Sequence, residues 1–220
     1  MRTRIAVLAS GGGSNLGALL AHHDALGDQR HSEVVLVASD RADARALERA
    51  RERDIPAMVL DDHADAAALS AALEEVRADI IVLAGYLRLV PPPIVARFRG
   101  RMINVHPALL PAFGGTGMYG LRIHRAVLDA GVRVTGVTVH FVDEQYDRGP
   151  IIAQWPVPVM EDDTAERLAA RVLRVEHELL PRVVEAVASG EITLASDGRV
   201  RGSLIAGDDA IFELSHATPL

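Results

Sequence analysis

The chain has 220 residues, of which 49% are apolar and 24% charged, with a net charge of −7 and a pI near 5.7. That balance suits one well-buried domain, argues against disorder, and leaves no general basic face for nucleic acid. There is no Cys and no Lys, which excludes disulfides, thiolate nucleophiles, Cys-ligated metals and Schiff-base chemistry, and leaves any bound phosphate to Arg or backbone N–H groups.

In chain order, Ile5–Ala9 reads as a buried strand ended by Ser10-Gly11-Gly12-Gly13, with Ser14 and Asn15 expected to cap a helix to about Ala25. Val34–Ala38 is a second strand, followed by a helix near Ala44–Arg53. Ala57–Leu60 is a short third strand, Ala64–Val76 a helix, and Ile80–Ala84 another buried strand. Pro91–Phe98 predicts a short helix, Arg101–His106 a strand, and His124-Arg125 the start of a further helix with His124 in a cap or surface role. Val132–Val142 and Ile151–Val159 read as two long strands around an Asp143–Pro150 turn, and Thr164–Ser189 as a helix interrupted or bent near Pro181. Gly190–Gly202 predicts a small hairpin turning at Asp197-Gly198.

Aliphatic runs without alternation, separated by helices, mark strands buried on both faces. The expected fold is α/β: a mostly parallel, doubly wound, Rossmann-like sheet with antiparallel C-terminal strands and helices on both faces. Residues 1–202 are expected to form a single domain, with 203–220 as a tail. No apolar stretch approaches the ~18 residues of a membrane span, so a cytoplasmic protein without membrane or nucleic-acid partners is expected.

A strand, three glycines and a helix start form a place to bind an anion, because glycine admits close approach and the helix dipole favours negative charge. Neither nucleotide motif fits. Leu16 stands where the dinucleotide fingerprint has its last glycine, and Ala18 stands where the Walker pattern has Lys. A monophosphate needs neither motif, and a tight turn with a helix cap would explain the same residues.

Asn104 and His106 close an apolar run two residues apart, so a strand presents them on one face. Asn104 has amide donors for a developing oxyanion, and His106 titrates near neutrality. Asp147, in the turn after the next strand, could orient the imidazole, favour its protonated form or hold a relay water. His140 is expected to pack beneath this cluster. His22, His23 and His63 have no metal-ligand spacing, and Glu176-His177-Glu178 points in different directions along a helix, so no metal is expected.

These residues resemble the family of formyltransferases that use 10-formyltetrahydrofolate, in the branch acting on phosphoribosylglycinamide in purine biosynthesis. The similarity spans about residues 4–200. It rests on Gly-Gly-Gly-Ser-Asn15, Ala84-Gly-Tyr-Leu-Arg88, Ile103-Asn-Val-His-Pro-Ala-Leu-Leu-Pro111 and Gly136-Val-Thr-Val-His-Phe-Val-Asp-Glu-Gln-Tyr-Asp147-Arg-Gly-Pro150. The resemblance implies a catalytic trio of Asn104, His106 and Asp147. Gly12, Gly13, Ser14 and Asn15 would hold the substrate phosphate, and Glu176 the sugar hydroxyls. Leu87, Arg88, Leu89, Val90, Asn104 and Val142 would line the folate pocket. Formyl transfer would then run through a tetrahedral intermediate with no metal and no covalent enzyme adduct, and a homodimer is compatible with it. A formyltetrahydrofolate deformylase is the alternative within the same resemblance, although a hydrolase has no use for a phosphate loop. Two features depart from the pattern. Asp61-Asp62-His63 lies where relatives often have a folate-contacting Arg, and Phe113–Gly120 is a long glycine-rich loop that suits either a lid or a rigid surface turn.

Overall fold

The computed structural model describes residues 1–202 and 204, so the expected tail, apart from Leu204, lies outside the described residues. Five strands run parallel: Thr3–Leu8 (β1), Ser32–Ser39 (β2), Ala57–Val59 (β3), Ile80–Leu83 (β4) and Met102–His106 (β5). Val134–Phe141 (β6) and Ile151–Pro158 (β7) add antiparallel strands, giving a seven-stranded sheet in the order β3-β2-β1-β4-β5-β6-β7. The expected hairpin is present as a separate two-stranded sheet of Thr193–Leu194 (β8) and Val200–Arg201 (β9).

Among the described residues, six α-helices connect the strands: Ser14–Leu26 (α1), Arg45–Arg51 (α2), Ala66–Glu75 (α3), Pro92–Arg97 (α4), Leu121–Asp129 (α5) and Ala165–Ala188 (α6). The central strands lack alternation because both of their faces are covered. Ile5 and Val7 of β1 pack with Leu16, Leu47, Ile123 and Leu180 from α1, α2, α5 and α6. Ala6 and Leu8 face the other way, onto Leu69, Leu73 and Ile94 from α3 and α4, with Phe98 just beyond. Each such Leu, Ile or Phe contributes ~1.5–3 kcal/mol by leaving water. Among the described residues, no helix is long and apolar enough to cross a membrane.

The expected interruption near Pro181 does not occur. Residues Ala165–Ala188 form one helix through the proline, held by the burial of Leu179, Leu180, Val183 and Val184 against the sheet. The missing proline N–H is outweighed by that apolar face. The strand order reverses direction between β1 and β4, and such a switch point opens a crevice beyond the C-terminal strand ends. The loops after β1, β4 and β5 all meet there.

Candidate active site

The glycine loop begins the site. Gly13 precedes α1 in the left-handed region, at φ 64°, and a Cβ there would lie 2.8 Å from Ala46 Cα. Only glycine meets both demands. Ser14 and Asn15 do not cap α1 as expected, for its N-cap is Gly13 and no side chain bonds the free N–H groups. Asn15 is instead turned inward. It is 6% exposed, its Nδ2 donates to Glu176 Oε2 of α6 at 2.7 Å, and its Oδ1 is buried without a partner. Burial drives the Glu176 pKa up, against the pull of the Asn15 bond.

Asn104 and His106 leave β5 toward Asp147, whose turn folds back over them. Asp147 Oδ1 lies 3.4 Å from Asn104 Nδ2, and Oδ2 lies 3.5 Å from His106 Nδ1. The His106 Nε2 edge donates to the Phe113 carbonyl at 2.8 Å, so Nδ1 is the edge left to exchange a proton. Burial lowers the His106 pKa, and the Asp147 charge and Phe113 carbonyl only partly restore it. The resting imidazole therefore favours its neutral form, and the charge expected on it must arise during reaction. Burial also opposes ionisation of Asp147, but the His140 and His106 rings and the Gly115 N–H, 2.8 Å from Oδ2, outweigh it and hold the carboxyl below its usual range. Asp147 has φ 54°, an uncommon backbone state for a residue with a side chain. Gly149 makes its turn possible, since a Cβ there would sit 1.8 Å from the Phe141 carbonyl oxygen.

His140 lies beneath the cluster, as expected, and takes part in it. β5 and β6 pair Asn104 with His140, bringing Asn104 Nδ2 within 3.1 Å of His140 Nε2. The His140 Nδ1–H donates to the Phe141 carbonyl at 2.8 Å, and Nε2 faces both the Asn104 amide and, at 3.7 Å, Asp147 Oδ1. His124 is placed differently from the sequence expectation. It is the fourth residue of α5, is 4% exposed, and its Nδ1 is buried without a partner. The amphipathic period of α5 turns it inward.

The segment after β4 forms the opposite wall. The Leu87 N–H donates to Ser10 Oγ at 2.9 Å, and Arg88 Nε donates to the buried Asp40 at 3.0 Å. Leu87 and Leu89 remain 49% and 50% exposed, an apolar shelf without a covering element among the described residues. Burial and the neighbouring Asp40 push the Tyr86 phenol up to about 12. All the predicted site residues, from Gly12 to Glu176, line one cavity of about 830 Å³, within the ~300–1,000 Å³ usual for small-molecule sites. Sequence reasoning missed the Phe113 carbonyl, the Gly115 N–H and Asp40. The first two are backbone groups without a sequence signature, and Asp40 joins Arg88 only through the fold.

Three buried histidines and the half-buried His177 set a pH dependence. Burial lowers the pKa values of His23, His106, His124 and His177 from the ordinary 6.5. A depressed native pKa means that the unfolded chain takes up protons first as pH falls. This contribution is complete above ~6.5 and is lost as pH falls through that value. The raised Glu176 acts in the opposite sense, but it is one group against these four. Urea midpoints are expected to fall between about pH 7.5 and 5.5; a flat or rising midpoint would contradict the assignment of neutral buried imidazoles.

Comparison with known proteins follows the same lines. The Formyl transferase family profile matches residues 3–184. The chain is 40% identical over 203 residues to the chloroplastic phosphoribosylglycinamide formyltransferase of Vigna unguiculata, covering 90% of this chain and 64% of that protein. It superposes on the crystal structure of glycinamide ribonucleotide transformylase 1 from Symbiobacterium toebii with a TM-score of 0.82 and 41% identity, covering 92% and 94% of the two chains. A formyltetrahydrofolate deformylase from Pseudomonas syringae shares the fold at a TM-score of 0.80 with 27% identity, covering 92% of this chain and 66% of that one.

Proposed function

Because the chain belongs to the formyl transferase family, we propose that it transfers the formyl group of 10-formyltetrahydrofolate to the amine of 5'-phosphoribosylglycinamide, a step of purine biosynthesis. The observation that carries this reading is the arrangement within one cavity. A glycine loop at a helix N-terminus, suited to a phosphate, occupies one wall, and a cluster of amide, imidazole and carboxylate occupies the floor. Asn15 and Glu176 lie beside the loop, where the hydroxyls of a ribose would follow its phosphate. The shelf of Leu87, Arg88, Leu89 and Val90, with Val142, lines the cavity and offers the exposed apolar side chains of Leu87 and Leu89 to a flat ring system.

In the mechanism, the amine nitrogen attacks the formyl carbon, the C–N bond forms, and the carbonyl oxygen becomes an oxyanion. The Asn104 amide donates to that oxygen. His106 Nδ1 receives the proton shed by the attacking nitrogen, and the Asp147 carboxylate, 3.5 Å away, stabilises the resulting imidazolium. The same proton passes to the departing folate nitrogen as its bond to the formyl carbon breaks. A neutral resting imidazole suits this sequence, since it must accept before it donates.

Deformylation is the second reading, favoured by the shared fold of the Pseudomonas enzyme. The loop and the Asn15–Glu176 pair speak for the transferase, because water as acceptor has neither a phosphate nor a ribose. Incubation with labelled 10-formyltetrahydrofolate, with and without phosphoribosylglycinamide, separates the two. Label on the acceptor is expected; free formate produced equally without it would overturn the transferase reading.

A further inference from the structure

The glycine loop is braced from outside by α2. The Ala46 N–H donates to the Gly11 carbonyl at 3.2 Å, and Arg49 Nε–H donates to the Gly12 carbonyl at 3.0 Å. Neither Ala46 nor Arg49 lines the cavity, so two successive carbonyls are drawn away from it. That matters because a carbonyl oxygen turned inward would repel an anion, whereas the peptide N–H groups attract one. Missing side chains let α2 approach. A Cβ on Gly13 would lie 2.8 Å from Ala46 Cα, and one on Gly17 would lie 3.2 Å from Arg49 Nη1.

Arg49 is set apart by its bond to the loop, since Arg45 and Arg51 of the same helix are in no ion pair among the described residues either. Arg41 and Arg53 pair with Asp43 and Asp24. Among the described residues Arg49 has no carboxylate partner, and its hydrogen bond goes to the loop. Its positive charge also reaches His177, next to Glu176 on α6. A second observation at the same loop points to a ligand. Among the described residues Asn15 Oδ1 is buried and unpaired, as expected of an acceptor awaiting a hydroxyl.

We propose that Arg49 is a positioning residue for the phosphate of the acceptor. Its Nε bond holds the Gly12 carbonyl out of the cradle, and its guanidinium supplies the positive charge that a loop without lysine otherwise lacks. The identity of the phosphate bearer rests on the acceptor reading above, while the anion site itself does not.

Binding of inorganic phosphate to the whole protein, measured by calorimetry, tests the anion site without turnover. Arg49→Ala is expected to weaken it by about 10–100-fold, the range for a hydrogen bond involving a charged group. Arg49→Lys should recover part of the loss, because an ammonium returns the charge but not the planar Nε contact. With phosphoribosylglycinamide the KM should rise by a similar factor, with kcat and the folate KM nearly unchanged. The preference for this acceptor over its dephosphorylated form should collapse in Arg49→Ala, whereas general damage to the loop would slow both acceptors alike. Equal phosphate affinity in wild type and Arg49→Ala, or no phosphate binding by the wild type, would overturn the proposal. Phosphate binding that depends on Arg49 in a protein that transfers no formyl group would instead overturn the acceptor reading and leave Arg49 in place. Should Arg49→Ala fail to fold, Arg49→Lys and Arg49→Gln decide by the same measurement.

Discussion

Exchanging Asp147 for Asn is expected to lower kcat by ~10²–10⁴-fold, the usual contribution of a positioned acid–base group, with little change in either KM. The substitution is unusually clean. Asn has the same shape and is among the few residues that tolerate a positive φ, so the turn at φ 54° survives. The Gly115 N–H can still donate to the side-chain oxygen. What disappears is the negative charge 3.5 Å from His106 Nδ1. That charge is the largest influence raising the His106 pKa against burial. Without it, the imidazolium formed when the amine sheds its proton has no counter-charge beside it at a buried position. The acid limb of the pH–rate profile should also move to lower pH, since the imidazole becomes harder to protonate. Steady-state kinetics on a variant with an unchanged urea midpoint checks this; near-normal turnover would remove Asp147 from the proton path.

The parts of this molecule that follow local rules were legible in its sequence. Ile5–Ala9 and Ile80–Ala84 lack alternation because α1 and α6 cover one face of the sheet and α3 and α4 the other. The hairpin turn at Asp197-Gly198 follows from Gly198 at φ 79°. Asn104 and His106 were readable as a pair because their two-residue spacing fixes their common face. Asp147 could be suggested only as a candidate, since nothing local says where an eight-residue turn will lie. The resemblance supplied that third member, and the coordinates place it within 3.5 Å of the imidazole.

Other features depend on contacts between distant segments. A helix cap was expected at Ser14-Asn15 from residue type, but Asn15 forms a better bond with Glu176, 161 positions away. Pro181 has a local preference to break a helix, and the buried face of α6 overrides it. The sequence reading starts a helix at His124-Arg125; α5 begins three residues earlier, at Leu121, so His124 lies within the helix, on its buried face, rather than at a cap. The ties from Phe113 and Gly115 to the cluster come from backbone atoms, which any residue could supply. Pattern reading therefore located the candidate side chains of the cavity better than the scaffold that orients them.

Asn104 is expected to show a distinctive order of defects, with Asn104→Asp worse than Asn104→Ala. Removing a single oxyanion donor costs ~10²–10³-fold in kcat, and Asn104→Ala should fall in that range. Its shorter side chain also leaves His140 Nε2 without the amide 3.1 Å away, so part of the loss comes from a less fixed neighbour. Asn104→Asp keeps the shape but replaces a donor with an anion. It would stand within about 3.4 Å of the Asp147 carboxylate, where the wild-type amide now lies. Two carboxylates at that distance share a proton, which raises one pKa and weakens the charge that supports His106. The same anion would repel the oxygen that becomes negative in the transition state. A hydrogen-bonding role confined to the folded scaffold predicts the opposite order, because the isosteric Asp would preserve packing that Ala loses. Measuring kcat for both variants at saturating substrates distinguishes the two, and an Asp variant faster than the Ala variant would deny Asn104 its place at the oxyanion.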